Sequence, residues 1–390
     1  MTTSSRTLPA SPPAPTSRRR WPYALVAVLA VVLAAVVAAS FVTLPYYALV
    51  PGQAQKVDNL ITVPAGQRHP LHGQVLLTDV GVVNVKAIDW IPDLLDSNVS
   101  LVHQQDLTGN VPVNQFNAEG AVDMTESQIT AGAVALRQFG YSVPEHDAGV
   151  TVYALDPTGP AIKVLQVGDV ITALDGTPTP NIGVLVQVLD THRPGQRITL
   201  RVGTVKEPTV DHTVSLTLGS RTVSGKVMPL LGLGDPKAPD IAGMGTQPLY
   251  DMPFPIHVSS DNIGGPSAGL AFTLGIIDIL TGGDLTGGKV VAATGTIHPD
   301  GTVGAIGGVV QKAVAVRRAG GTVFLVPDAN LAKARAHAPK GLRIMGVASL
   351  SQALHDLQRL GGHLGAAATG PPPGPGGHSV PTDWQASPWT

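Results

Sequence analysis

Asp261-Asn262-Ile263-Gly264-Gly265-Pro266-Ser267-Ala268-Gly269-Leu270 is the stretch that decides how the chain is read. A serine stands between small residues, and an apolar run follows it directly. Two glycines and a proline before Ser267 predict a tight, exposed turn. A helix starting at Ser267 leaves backbone N–H groups without partners beside the hydroxyl. Those groups and the helix dipole can stabilise an oxyanion. The plain alternative is a serine N-cap after a Gly-Pro turn.

Outward from this stretch, the last folded unit is expected over residues 223–362. The Ser267 helix runs to about Leu280 and closes at Thr281-Gly282-Gly283. A strand over 290–297, a turn at 298–301 and a returning strand over 302–306 follow. Gly307-Gly308 then opens a second helix over 309–319. A buried strand is expected over 322–326 and a final helix over 349–360. Lys312 sits on the second helix among Val309, Val310, Ala313 and Val316. A lysine bordering an apolar face loses solvation, which lowers its pKa. To act as a base near neutrality it must fall from about 10.4 to roughly 7–8. A neutral amine can then take the proton of Ser267 and later protonate a leaving amine. Periodicity alone favours the other reading, a snorkelling surface lysine.

Composition narrows the classes. The chain has 390 residues, enough for several domains, and a formal net charge of −2 that offers no basic patch for nucleic acid. It has no cysteine, so disulfides and thiolate metal sites are excluded. The histidines lack ligand-like spacing, and no metal or other cofactor is called for. Residues 1–20 are polar and Pro-rich, and they read as a disordered cytoplasmic tail ending in Arg18-Arg19-Arg20. Residues 21–44 carry no charge and suffice to span a bilayer. The arginines place the N-terminus in the cytoplasm and the rest outside it. A cleaved signal peptide, with Val37-Ala38-Ala39 as its small-residue site, is the competing reading. Pro/Gly-rich residues 363–390 read as a disordered tail.

Residues 45–139 read as short strands and loops, with a short helix broken at Pro92. Asp123 and Glu126 have capping-box spacing, so a helix should start there and end near Gly140. Residues 140–222 turn to strand, turn and strand. Leu165-x-x-Gly168-Asp169-Val170-Ile171-x-x-x-x-Gly176 closes on an Asp-Gly turn, and residues 181–190 form an amphipathic helix. This order resembles bacterial PDZ domains, which bind an extended peptide at a sheet edge. Phe139, Gly140 and Tyr141 are the expected peptide-carboxylate loop.

Gly265-Pro266-Ser267-Ala268-Gly269, then Thr294-Gly295-x-Ile297, then Gly301 to Lys312 with Ile306-Gly307-Gly308 inside it, form linked motifs in order. They resemble the proteolytic domain of the Lon proteases, as do Ala319-Gly320 and residues 324–327. The resemblance implies a ribosomal protein S5 domain 2-like α+β fold, with Ser267 as nucleophile and Lys312 as general base. It gives Thr294 a supporting role, beside Gly265, Ala268 and Gly269 in the serine motif. The whole order is similar to the membrane-anchored PDZ–Lon proteins of Gram-positive bacteria. It implies an α+β multidomain peptidase acting on protein or peptide substrates, tethered to the lipid bilayer through residues 21–44. Ring assembly of the family makes a homo-oligomer an expectation by resemblance only.

Two departures matter. Family members carry an acidic residue three before the serine, where this chain has Gly264; Asp261 or Asn262 are candidates to replace it. No ATPase module is recognisable. Gly283 to Lys289 has P-loop glycine spacing, but Val290 has no hydroxyl for magnesium, so the string reads as a loop and proteolysis as ATP-independent. Gly265-x-Ser267-x-Gly269 also fits a nucleophile elbow, with Asp300 or Asp328 and His337 or His355 as partners. No strand runs into Ser267 to support it. A catalytically silent membrane-tethered PDZ scaffold is the remaining alternative.

Overall fold

The computed structural model describes residues 21–109, 111–223, 225–234, 240–260, 263–282 and 284–365. Residues 1–20 and most of the Pro/Gly-rich tail lie outside them, as do Asp261 and Asn262. Helix α1 (Trp21–Phe41) is exposed over most of its length. It is long and apolar enough to cross a membrane, a test that an N-terminal signal sequence also passes.

Strand β1 (Thr43–Lys56) follows almost at once and pairs antiparallel with β2 (Gln74–Lys86). The pairing is irregular between Pro51 and Ala54, where Asp79 on β2 accepts the Gln53 N–H at 2.7 Å. Next come helix α2 (Trp90–Leu95), with Pro92 in its first turn, and β3 (Ser100–His103) on the outer edge of β1. Proline is tolerated there because first-turn N–H groups have no intrahelical acceptor. Helix α3 (Val113–Gln138) is long and ends at Gly140, whose φ is +78°.

The PDZ-like stretch comes next. It holds strands β4 (Glu145–Val152) and β5 (Asp169–Leu174), helix α4 (Ile182–Leu189), and strands β6 (Arg197–Thr204) and β7 (His212–Thr217), of which β5 and α4 lie where the pattern puts them. Asp175 and Gly176 both have positive φ, as an Asp-Gly hairpin turn requires. Asn181 caps α4 by accepting the Val184 N–H. The sheet is completed from beyond residue 222. Strand β8 (Met244–Tyr250) pairs with β4, giving the order β8-β4-β5-β6-β7. Val150, Ile171, Leu174, Leu185 and Leu200 form its separate core.

Helix α5 (Gly269–Thr281) then leads to β9 (Val290–Ala293), α6 (Val309–Arg318), β10 (Val323–Pro327), α7 (Asp328–Ala336), β11 (Arg343–Val347) and α8 (Leu350–Arg359). The second sheet has the order β11-β10-β9-β2-β1-β3, and β9 runs parallel to β2 with Val290 opposite Gln74. Leu77 and Leu136 share one core with Leu270, Phe272, Ile276 and Leu325.

This corrects the expected division of the chain. Residues 45–139 are not a separate segment, and 223–362 do not close a unit alone. Every residue of α5 is buried, so the helix must be covered on all sides. Strand β2 and helix α3 supply that cover from the earlier segment. The PDZ-like unit is inserted between the two halves of the peptidase-like unit. The capping-box reading is corrected too, since α3 begins ten residues earlier and Asp123 lies inside it. Glu126 accepts the Tyr153 hydroxyl at 2.5 Å instead of capping a helix.

Candidate active site

Ser267 lies in a short 3₁₀ turn, Pro266–Ala268, rather than inside an α-helix; α5 begins two residues later. Gly265 enters the turn at φ +84°, a conformation that favours glycine. Its N–H donates to the Gly120 carbonyl of α3 at 2.6 Å. Ala268 is buried in the core and fixes the floor of the turn. Gly269 must lack a side chain, because a Cβ there would come within 2.8 Å of both Ser127 Oγ and Ile297 Cγ2. Ser267 is left only partly buried.

Lys312 rises from the first turn of α6, its backbone N–H bonded to the Gly308 carbonyl. Its side chain is only 3% exposed, and Nζ lies 2.6 Å from Ser267 Oγ. Nζ is also 3.1 Å from Thr294 Oγ1. Thr294, fully buried after β9, donates its hydroxyl to the Ser267 carbonyl at 3.0 Å. Its oxygen therefore presents a lone pair to the amine. The Gly295 N–H bonds the same carbonyl at 2.9 Å. Burial pushes the Lys312 amine down to about 8, while the charge of Asp79 works in the opposite direction.

Ser267, Lys312 and Thr294, expected to act together, thus converge on one point from three elements. Phe139, Gly140 and Tyr141, the expected carboxylate loop, follow directly on the last turn of α3. They end α3, with the Tyr141 N–H on the Leu136 carbonyl, and both rings pack on the peptidase-like core. The Tyr141 ring stands edge-on to Phe254 at 5.9 Å. The edge of the PDZ-like sheet is β8, which lies against α4.

Other sequence candidates separate from the site. Lys289, the lysine of the P-loop-like string, donates to the Leu360 carbonyl at 2.6 Å and to Gly287, so it closes a loop. Among the described residues no hydrogen bond joins a histidine to Ser267. Two residues were missed. Ser127 on α3 is buried and donates to the Pro266 carbonyl at 3.1 Å. Asp79 is the carboxylate whose charge reaches Lys312, and nothing local in sequence marks it. Gly264 packs its Cα against Gly120, so the turn meets α3 backbone to backbone.

Residues 244–357 match the family model of the Lon protease (S16) C-terminal proteolytic domain, and residues 138–211 match that of the PDZ domain. Lon protease 2 of Syntrophobacter fumaroxidans is 35% identical over 115 residues, covering 30% of this chain and 13% of the relative. Lon protease 1 of Herpetosiphon aurantiacus is 39% identical over 83 residues, covering 21% and 10%. The chain therefore spans only a small part of the length of these curated relatives. The PDZ domain of an SdrC-like protein from Listeria monocytogenes is 21% identical, over 22% of this chain and 85% of that one, with a TM-score of 0.20. Its counterpart from Listeria innocua is 21% identical over 22% and 91%, with a TM-score of 0.19. The chain carries a PDZ domain and a Lon-type proteolytic domain. The Lon match begins at the first residue of β8, whereas the sheet that holds the site begins at Thr43.

Proposed function

We propose that this chain, which joins a PDZ domain to a Lon-type proteolytic domain, is a membrane-anchored, ATP-independent serine endopeptidase with a Ser267–Lys312 dyad. The observation that carries the reading is a buried amine, held at about 8, lying 2.6 Å from the hydroxyl of a partly buried serine. The neutral Lys312 amine takes the Ser267 proton as Oγ bonds to the scissile carbonyl carbon. The backbone N–H groups of Ser267 and Ala268, in the turn just before α5, are assigned the oxyanion. Collapse expels the amine half of the peptide, which takes the proton from Lys312 and leaves an acyl-Ser267. Water then adds to the acyl carbon and gives a proton to Lys312. Ser267 leaves with that proton and the acid half is released.

Thr294 orients the amine. Helix α1 anchors the chain with its folded units outside the cytoplasm, where they act on envelope or membrane-associated proteins. An extended peptide adds to the outer edge of β8 beside α4, by strand addition.

The test compares the parent with Ser267→Ala and Lys312→Ala for cleavage of a candidate envelope protein and for labelling by a fluorophosphonate. Ser267→Ala should lose at least about 1,000-fold and Lys312→Ala at least about 100-fold. Equal cleavage by all three chains would end the dyad assignment. A parent that neither cleaves nor labels would leave a silent PDZ scaffold.

A further inference from the structure

Beyond the site, the described residues carry one cluster of exposed apolar side chains close to the end of α1. Ile91, Leu94 and Leu95 of α2 are 66%, 65% and 79% exposed, and Ile88 just before them is also exposed. Phe41 and Val42, where α1 ends, are exposed as well. The two groups are joined by the backbone, since the Ala87 N–H donates to the Val42 carbonyl at 2.9 Å and Thr43 pairs with Lys86. Ile88 is the next residue after Ala87, and Ile91 can lie no more than about 14 Å along the chain from it. The apolar turn is therefore held at the point where the anchor leaves the chain's folded part.

Its aromatic residues suit the same place. Trp90 meets Tyr46 edge-on at 4.7 Å, and Tyr46 meets His103 at 5.1 Å. Trp and Tyr rings favour the headgroup level of a bilayer, where one end is apolar and the other wet. Charge does not draw α2 there: Asp93 lies within it, Asp89 and Asp96 flank it, and no lysine or arginine occurs between residues 87 and 105. The attraction would come from apolar burial, as for an interfacial helix seated about 5–10 Å into the headgroup boundary.

We propose that α2 is a second membrane contact: Ile88, Trp90, Ile91, Leu94 and Leu95 dip into the bilayer interface that α1 crosses. The turn holds the peptidase unit against the membrane surface and fixes its orientation. The proposal rests on the reading of α1 as an uncleaved anchor.

The full chain contains Trp21, Trp90, Trp384 and Trp389. A variant with Trp21→Phe, Trp384→Phe and Trp389→Phe leaves Trp90 as the sole tryptophan. It is reconstituted into phosphatidylcholine vesicles, with bromine placed at shallow or deep acyl positions. The expected result is emission quenched at least twofold by shallow bromine, little by deep bromine, and independent of salt. Adding Ile91→Ser and Leu94→Ser should remove the quenching while fluorophosphonate labelling at Ser267 remains. A chain that resists carbonate extraction but shows unquenched Trp90 overturns the proposal and leaves the anchor intact. So does protection of Trp90 that disappears on dilution, which would mark a second copy on this face. Extraction of the chain by carbonate overturns the anchor reading itself.

Discussion

Lys312 combines two demands that oppose one another. Burial lowers its affinity for a proton to the range a base needs, and Asp79 limits the fall. Activity should rise with pH through about 8, as the amine loses its proton. Asp79→Asn keeps an acceptor for the Gln53 N–H and removes the charge, so the midpoint of kcat/KM should move below 8. A midpoint that stays or rises would sink the role given to Asp79. Ser267 and Lys312 were singled out in sequence by the resemblance of their short motifs to a known family, whereas periodicity alone put Lys312 on the surface. Asp79 was not, because its effect needs β2 and α6 to be packed together, which no local pattern encodes.

Helix α3 works on both sides. One side holds the serine turn, through the Gly120 carbonyl on Gly265 and the Ser127 hydroxyl on Pro266. The other meets the PDZ unit, where Val122 packs with Val170 and Val205 and Glu126 accepts the Tyr153 hydroxyl. Ser127→Ala removes one neutral hydrogen bond, a change of about 1 kcal/mol, or roughly fivefold. The loss should fall on kcat and on the fluorophosphonate labelling rate, with KM and the pH midpoint unchanged. Unaltered labelling in a folded variant would show that the contact does not position the turn. The sequence pattern located the end of α3 well, because Gly140 stops the helix. It misplaced the start because a capping-box spacing inside a longer helix looks the same as one at its end.

The molecule as a whole is a peptidase-like sheet interrupted by a PDZ unit. Residues 223–362 lack β1, β2, β3 and α3, and so lack both a neighbour for β9 and the cover for α5. That piece alone should remain unfolded by circular dichroism. A single chain carrying 43–138 joined to 251–365 by a short linker should recover a cooperative transition. Cooperative folding of 223–362 alone would contradict the shared core. By itself, the sequence determined the local units: the apolar span, the Asp-Gly hairpin and amphipathic helix of the PDZ stretch, and the serine, threonine and lysine motifs. Each depends on periodicity, turn chemistry or spacing within a few tens of residues. Only the tertiary structure decided that the two flanking segments share one sheet, that α3 braces the serine turn, and that the charge of Asp79 reaches the lysine. Those depend on pairing between residues more than a hundred positions apart, where the order of the strands, not their composition, selects the partner.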